Sequence, residues 1–268
     1  MATPENVKRK IQQIMTGESE SGPEFLKLFL LSISIGYGGI VGLKEALYKK
    51  DLLRSKRLSC PVISIGNLTV GGSGKTPMTI YVAELIKHLG YGVAIISRGY
   101  KGQAEKIGGV VSDGRKIRMG PDTAGDEPFM VAQRLKTVPV IVGKDRFKAG
   151  ILAIQEFKPD VLLLDDAFQH RWINRNFDLL VIDQRFLTAR SFFINNLLPT
   201  GVMREPLSSI KRADEVIVNR KFTEKKDTPA EFNQYFEGEK IFTGYYKAIS
   251  FFDLKHKTEL SLEEFQGQ

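Results

Sequence analysis

The sequence predicts an α/β fold, a mostly parallel sheet with helices on both faces, and three observations carry that expectation. From residue 61 onward, short apolar runs rich in β-branched residues alternate with amphipathic segments, the pattern of parallel strands covered on both sides. A glycine-rich turn, Thr69-Val-Gly-Gly-Ser-Gly-Lys-Thr76, sits between one such run and one such segment. Another run, Val161-Leu-Leu-Leu-Asp165-Asp166, ends in two carboxylates, where a parallel strand delivers acids to the carboxyl edge of a sheet.

Residues 1–22 are polar, lack apolar periodicity and read as an arm with a candidate short helix over 6–15. An apolar segment, 25–43, follows. Its uncharged run, 28–43, covers 16 residues. At about 1.5 Å per residue that is roughly 24 Å of helix, short of a hydrocarbon core of about 30 Å, so it is not expected to span. Six basic residues border it (Lys44, Lys49, Lys50, Arg54, Lys56, Arg57) against Glu45 and Asp51. That surplus of four is half the chain's net charge of +8. An apolar helix with a basic border fits a peripheral or monotopic contact with a membrane surface, whereas a long charged lead-in without a cleavage pattern argues against a signal peptide. The alternative is a buried core helix, and the three glycines within 36–39 weaken any continuous helix.

Strands are expected over 62–65, 93–97, 138–142, 161–164, 179–182 and 215–218, and helices over 78–89, 127–135, 147–157 and 207–213. Beyond about residue 219 charged loops and aromatic stretches such as Ile241-Phe-Thr-Gly-Tyr-Tyr246 replace this alternation. The chain therefore divides into an arm with an anchoring helix (1–57), a sheet domain (58–220) and the start of a smaller C-terminal lobe (221–268). With 268 residues, 42% of them hydrophobic, it can bury one sizeable core. A single cysteine, Cys60, excludes an internal disulfide, and no Cys/His cluster has zinc spacing.

The glycine-rich turn has the chemistry of a phosphate loop, which makes the expected fold P-loop NTPase-like. Its glycines let backbone N–H groups converge on phosphate oxygens, and the following helix N-terminus adds positive dipole. Candidate ATP-binding residues are Thr69, Val70, Gly71, Gly72, Ser73, Gly74, Lys75 and Thr76. Lys75 can reach the β- and γ-phosphates and Thr76 can ligate Mg²⁺, while Pro77 suits the first helical turn. One departure is visible, since Thr69 stands where the usual GxxxxGK[ST] pattern begins with glycine. One of Asp165 and Asp166 should belong to a Mg²⁺ shell. Gly125-Asp126-Glu127-Pro128 places two more carboxylates at a helix start, where Asp126 reads equally as an ordinary N-cap or as a base.

These residues, with Asn67-Leu-Thr, Ser97-Arg-Gly-Tyr100, Asp145-Arg146, Asp165-Asp-Ala-Phe-Gln-His-Arg171 and Leu198-Pro-Thr-Gly-Val-Met-Arg-Glu-Pro206, resemble the tetraacyldisaccharide 4'-kinase family of lipid A biosynthesis. The likeness runs over about 48–214. It implies ATP-dependent phosphorylation of the 4'-hydroxyl of a tetraacyldisaccharide 1-phosphate at the cytoplasmic face of the bacterial inner membrane. By the same carry-over Asp126 assists deprotonation, Glu127, Asp165 and Asp166 organise magnesium, and Lys75 neutralises phosphate charge. Arg98, Arg146, His170 and Arg171 become candidates for substrate or phosphate contact, each of them equally readable as an ordinary ion-pair partner. The family pattern continues through a glycine-asparagine-proline segment to an Asp-His-His-like motif that partners the catalytic aspartate. His256 does not match that motif, so the partner and much of the second lobe are expected to be missing from this sequence.

Two other nucleotide-binding classes compete. A metal-insertion or partitioning ATPase carries a lysine before the two glycines, where this chain has Val70. A GTPase would place Asn-Lys-x-Asp near Asn219-Arg-Lys-Phe222, but Phe222 is no acid. No basic motif interleaved with aromatics supports nucleic-acid binding.

Overall fold

The computed structural model describes residues 24–188, 196–227, 232, 235, 241–248, 250–253 and 258–261. The candidate helix at 6–15 and His256 lie outside them. Among the described residues eight strands form one sheet: β1 (Val62–Gly66), β2 (Val93–Ser97), β3 (Gly109–Asp113), β4 (Pro139–Val142), β5 (Val161–Asp165), β6 (Phe177–Asp183), β7 (Glu215–Asn219) and β8 (Ile241–Gly244). Their order is β3-β4-β2-β5-β1-β6-β7-β8. Every pairing is parallel except β3 with β4. A separate antiparallel pair joins β9 (Ser250–Asp253) to β10 (Thr258–Ser261).

Strand alternation sorts the core into two layers, because successive side chains point to opposite faces. Val93, Ile95, Val140, Val142 and Leu163 meet Ala83 and Ile86 of helix α2 (Lys75–His88) and Val131 and Ala132 of helix α4 (Asp126–Arg134). A four-residue turn of helix, α3 (Pro121–Ala124), precedes α4. On the other face Val62, Ala94, Ile96, Ile141, Leu162 and Leu164 meet Ala149 and Ala153 of helix α5 (Arg146–Phe157). Burying both faces is why these strands read as continuous apolar runs. Beyond β6, Leu180, Ile182, Val216 and Val218 pack with Phe186 and Leu187 of the short helix α6 (Gln184–Thr188) and with Met203 and Ile210.

Two strands of the main sheet differ from expectation, and the β9–β10 pair was not foreseen either. β3 was not foreseen, since Gly-Val-Val-Ser-Asp offers only two apolar residues beside glycines. Ile241–Gly244, which the sequence placed with the start of a second lobe, hydrogen-bonds to β7 as the outermost strand of the main sheet. The segment expected as a helix near 207–213 is a 3-10 helix, Leu207–Arg212.

Helix α1 (Glu24–Lys49) runs unbroken through its glycines for 26 residues, longer than the sequence suggested. At about 1.5 Å per residue it is about 39 Å long. Its polarity is inverted relative to a helix of a water-exposed surface. Leu30, Ser34, Tyr37 and Glu45, at helical spacing, face the sheet domain, and Ser34 is buried. The Ser34 hydroxyl donates to the Leu197 carbonyl at 2.7 Å. Glu45 Oε2 accepts from Arg171 at 2.7 Å and from Arg212 at 2.8 Å. Phe25, Leu28, Phe29, Ile35, Ile40 and Leu43 point outward, each more than half exposed.

Candidate active site

The register between β1 and β5 sets Ile65 beside Asp165, so the chain leaving β1 toward the glycine-rich turn runs past the carboxylates ending β5. Gly66 makes this approach possible, because a Cβ there would stand 2.6 Å from the Phe168 side chain. The turn itself is held from both halves of the sheet. Asn67 Nδ2 donates to Ser73 Oγ at 3.0 Å, and Asn219 Nδ2, at the end of β7, donates to the Ser73 carbonyl at 2.9 Å. Asn219 also bonds the Tyr246 hydroxyl at 2.9 Å. Gly74, the residue before α2, has φ +97° and lies so close beneath the Asn219 amide and the Tyr246 hydroxyl that no side chain fits.

A cleft of about 1110 Å³ opens over this loop. Residues 71–76 line one wall, with Asp165, Asp166, Glu127, Arg98, Lys144, Arg146, His170 and Arg204 around it. Asp165 is 1% exposed, and burial lifts its pKa to about 6, against the Thr79 hydroxyl that donates to it at 2.9 Å. Asp166, in the left-handed region at φ +50°, accepts from Arg204 Nη1 at 2.9 and 3.0 Å and lies 3.7 Å from Lys75 Nζ. Burial, reinforced by Arg146 and Arg175, pushes the His170 imidazole down to about 4, so it is neutral at ordinary pH. Burial also lowers Arg146 to about 10, which leaves it charged. Among the described residues, His170 Nε2 and Arg146 Nε are buried without a hydrogen-bond partner.

The structure brings most of the sequence candidates around the cleft and leaves four, Thr69, Val70, Arg171 and Asp126, outside its lining. Thr69 and Val70 lie behind the loop, where the Val70 N–H donates to the Val202 carbonyl at 2.8 Å; they line a smaller recess beside Asp183 and Arg185. Arg171 faces helix α1 instead of the cleft, bonded to Glu45 and lying 4.4 Å over the Tyr48 ring. Asp126 is exposed at the start of α4, next to the cleft-lining Glu127. It does not cap the helix, because the N-cap is Gly125 and no side chain bonds there. Sequence reasoning overlooked Tyr37, Lys144, Asn219, Lys221 and Tyr246. Of these only Asn219 carried a signal, as a strand-end asparagine set aside when Phe222 failed the guanine pattern.

Comparisons with known proteins point to one family. The family model described as tetraacyldisaccharide-1-P 4'-kinase matches residues 26–267. The tetraacyldisaccharide 4'-kinase of Pelobacter propionicus is 45% identical over 208 residues, covering 77% of this chain and 56% of that protein. That of Desulfatibacillum aliphaticivorans is 40% identical over 215 residues, covering 80% and 57%. The chain thus spans little more than half the length of these relatives. A crystal structure of LpxK from Aquifex aeolicus, described as an "apo" form in complex with ATP, matches with a TM-score of 0.72 at 35% identity over 91% of this chain and 72% of that one. With phosphate loop, strand-end carboxylates and family match in agreement, the chain belongs to the tetraacyldisaccharide-1-P 4'-kinase family.

Proposed function

We propose that the chain transfers the γ-phosphoryl group of ATP to the 4'-hydroxyl of a tetraacyldisaccharide 1-phosphate, at the cytoplasmic face of a bacterial inner membrane. The observation that carries this reading is the composition of one cleft. Its walls hold the phosphate loop, two strand-end carboxylates, six further cationic or imidazole groups and Tyr37 of the apolar helix α1.

Phosphoryl transfer needs positioning and charge neutralisation more than covalent chemistry. The loop N–H groups and Lys75 cradle the donor phosphates, and Lys75, already within reach of Asp166, moves its charge onto the γ-phosphate when nucleotide enters. Asp126, not spent on capping, takes the proton of the sugar hydroxyl as it attacks. Arg98, Lys144, Arg146 and the neutral His170 receive the anionic acceptor, the unpartnered nitrogens of Arg146 and His170 supplying donors or an acceptor.

The residues present suit magnesium. Thr76, Glu127 and Asp165 offer only hard oxygen donors, and the Asp165 pKa, raised chiefly by burial, is raised further by like-charge repulsion from Asp166 and Glu127 that a cation would relieve. Among the described residues no three His, Cys, Asp or Glu side chains gather into a self-sufficient metal site, as suits an ion that keeps waters and leans on substrate phosphates. When bound, magnesium neutralises charge on the β- and γ-phosphate oxygens.

The inverted polarity of α1 supports membrane association. Its outward apolar side chains need a nonaqueous partner, and the flanking Lys49, Lys50, Arg54 and Arg57 supply attraction to anionic lipid. Acyl chains then stay in the bilayer while the sugar enters the cleft beside Tyr37. Incubation with γ-labelled ATP and the disaccharide lipid in detergent micelles tests the reading. Label on the lipid is expected; nucleotide hydrolysis indifferent to the lipid would favour an ATPase and sink it.

A further inference from the structure

Helix α1 touches the site as well as the surroundings. The Tyr37 hydroxyl donates to the Arg204 carbonyl at 2.7 Å, and the Arg204 N–H donates to the Leu68 carbonyl at 2.7 Å. The Arg204 backbone is therefore pinned between the apolar helix on one side and the strand exit leading to the phosphate loop on the other. Its guanidinium reaches from that point to both oxygens of Asp166. Gly38, adjacent to Tyr37, lets the two segments come this close, because a Cβ there would stand 3.0 Å from Leu197 Cδ1.

We propose that Tyr37 is a positioning residue for phosphoryl transfer: through the Arg204 main chain it fixes the guanidinium that holds Asp166 beside Lys75. The inference rests on the kinase reading for its kinetic consequence but on geometry alone for the placement of Arg204. Arg204 is only part-buried, so its long side chain has rotamers to lose, and the Tyr37 bond selects among them by fixing where the side chain starts. Burial raises the Tyr37 pKa above its ordinary value of 10.0, so the hydroxyl stays a donor throughout the working range. Tyr37 lines the cleft, and phenylalanine keeps the ring, so the bond can be removed with the smallest change to the wall.

The test is Tyr37→Phe in the full chain in detergent micelles, with kcat, KM for ATP and the nitrogen-15 NMR signal of the Arg204 guanidinium, identified by its disappearance in Arg204→Lys. Losing one such bond is expected to lower kcat about three- to tenfold while KM for ATP changes less than about twofold, and to broaden the Arg204 signal. In an Arg204→Lys background Tyr37→Phe should add nothing. Ser34→Ala, which removes a neighbouring bond of the same helix to Leu197, should leave kcat near wild type. The inference is overturned if the two substitutions act independently, if the Arg204 signal is unchanged, or if Ser34→Ala costs as much. If the wild type transfers nothing to the lipid while the Arg204 signal still responds, the kinase reading fails and the positioning assignment stands.

Discussion

Asp165→Asn is expected to make the unliganded protein more stable at neutral pH while removing its response to magnesium nucleotide. Burial holds the Asp165 carboxyl near 6, against an ordinary 3.8, with Thr79 and Lys75 opposing and Asp166 and Glu127 adding. The interval is about 2 pH units, and at about 1.36 kcal/mol per unit the ionised form costs about 3 kcal/mol. The folded protein binds this proton more tightly than the unfolded chain. Stability therefore falls as pH rises from about 4 to about 6; the full cost is present above that window and absent below it. Asparagine cannot ionise, and its Oδ1 can accept the Thr79 hydroxyl, but its amide hydrogens lack a partner, which costs about 1 kcal/mol. The net gain near pH 7.5 is about 2 kcal/mol, or roughly 5 °C in Tm for a protein of this size. Melting followed by circular dichroism without nucleotide or metal, at pH 7.5 and pH 4, reads it directly. The advantage should be present at pH 7.5 and gone or slightly reversed at pH 4. A variant less stable at pH 7.5, or equally favoured at both values, would refute the assignment of Asp165 as a strained buried acid.

Three further outcomes are expected. Lys75→Ala should nearly abolish transfer in the labelled-ATP assay, because neighbouring N–H groups cannot replace a charge between the β- and γ-phosphates; turnover within threefold of wild type would count against the phosphate-loop assignment. Gly74→Ala combines a left-handed backbone, costing about 1–2 kcal/mol, with a collision against the Asn219–Tyr246 pair, so calorimetry should show nucleotide affinity at least tenfold weaker. Asp126→Asn should lower kcat about 10²- to 10⁴-fold with Tm unchanged, since Gly125 provides the cap; a lower Tm with kcat preserved would return Asp126 to a structural role.

What could be read from the sequence depended on how local the signal was. The strands of the central sheet announced themselves because each is buried on both faces, and the phosphate loop because its glycines, lysine and threonine are contiguous. Asp165 and Asp166 needed only the one further inference that parallel strands end at a common edge. Features built from distant segments were hidden. Nothing near Tyr37 tells that it will meet Arg204, 167 residues on, nor near Ser73 that Asn219 will close over it. Arg171 was ambiguous for the converse reason, since it follows His170 directly in sequence while its side chain pairs with Glu45 of α1, the ion-pair reading that sequence had left open. The apolar helix and the phosphate loop read as separate elements, yet Tyr37 lines the cleft they share.

The order of strands in the sheet has a consequence for how the protein comes into being on the ribosome. β1, from which the phosphate loop springs, pairs only with β5 and β6. Its neighbours are therefore synthesised about a hundred residues after it, while β2 and β4 can pair with each other earlier. Until then the loop is a glycine-rich segment on an unpaired strand that is apolar except for Ser64. Asn219, which fastens the loop from the other side, emerges later still. A nascent chain cannot hold nucleotide until nearly the whole sheet has been made, and β1 is the segment most in need of protection from wrong partners in the interval.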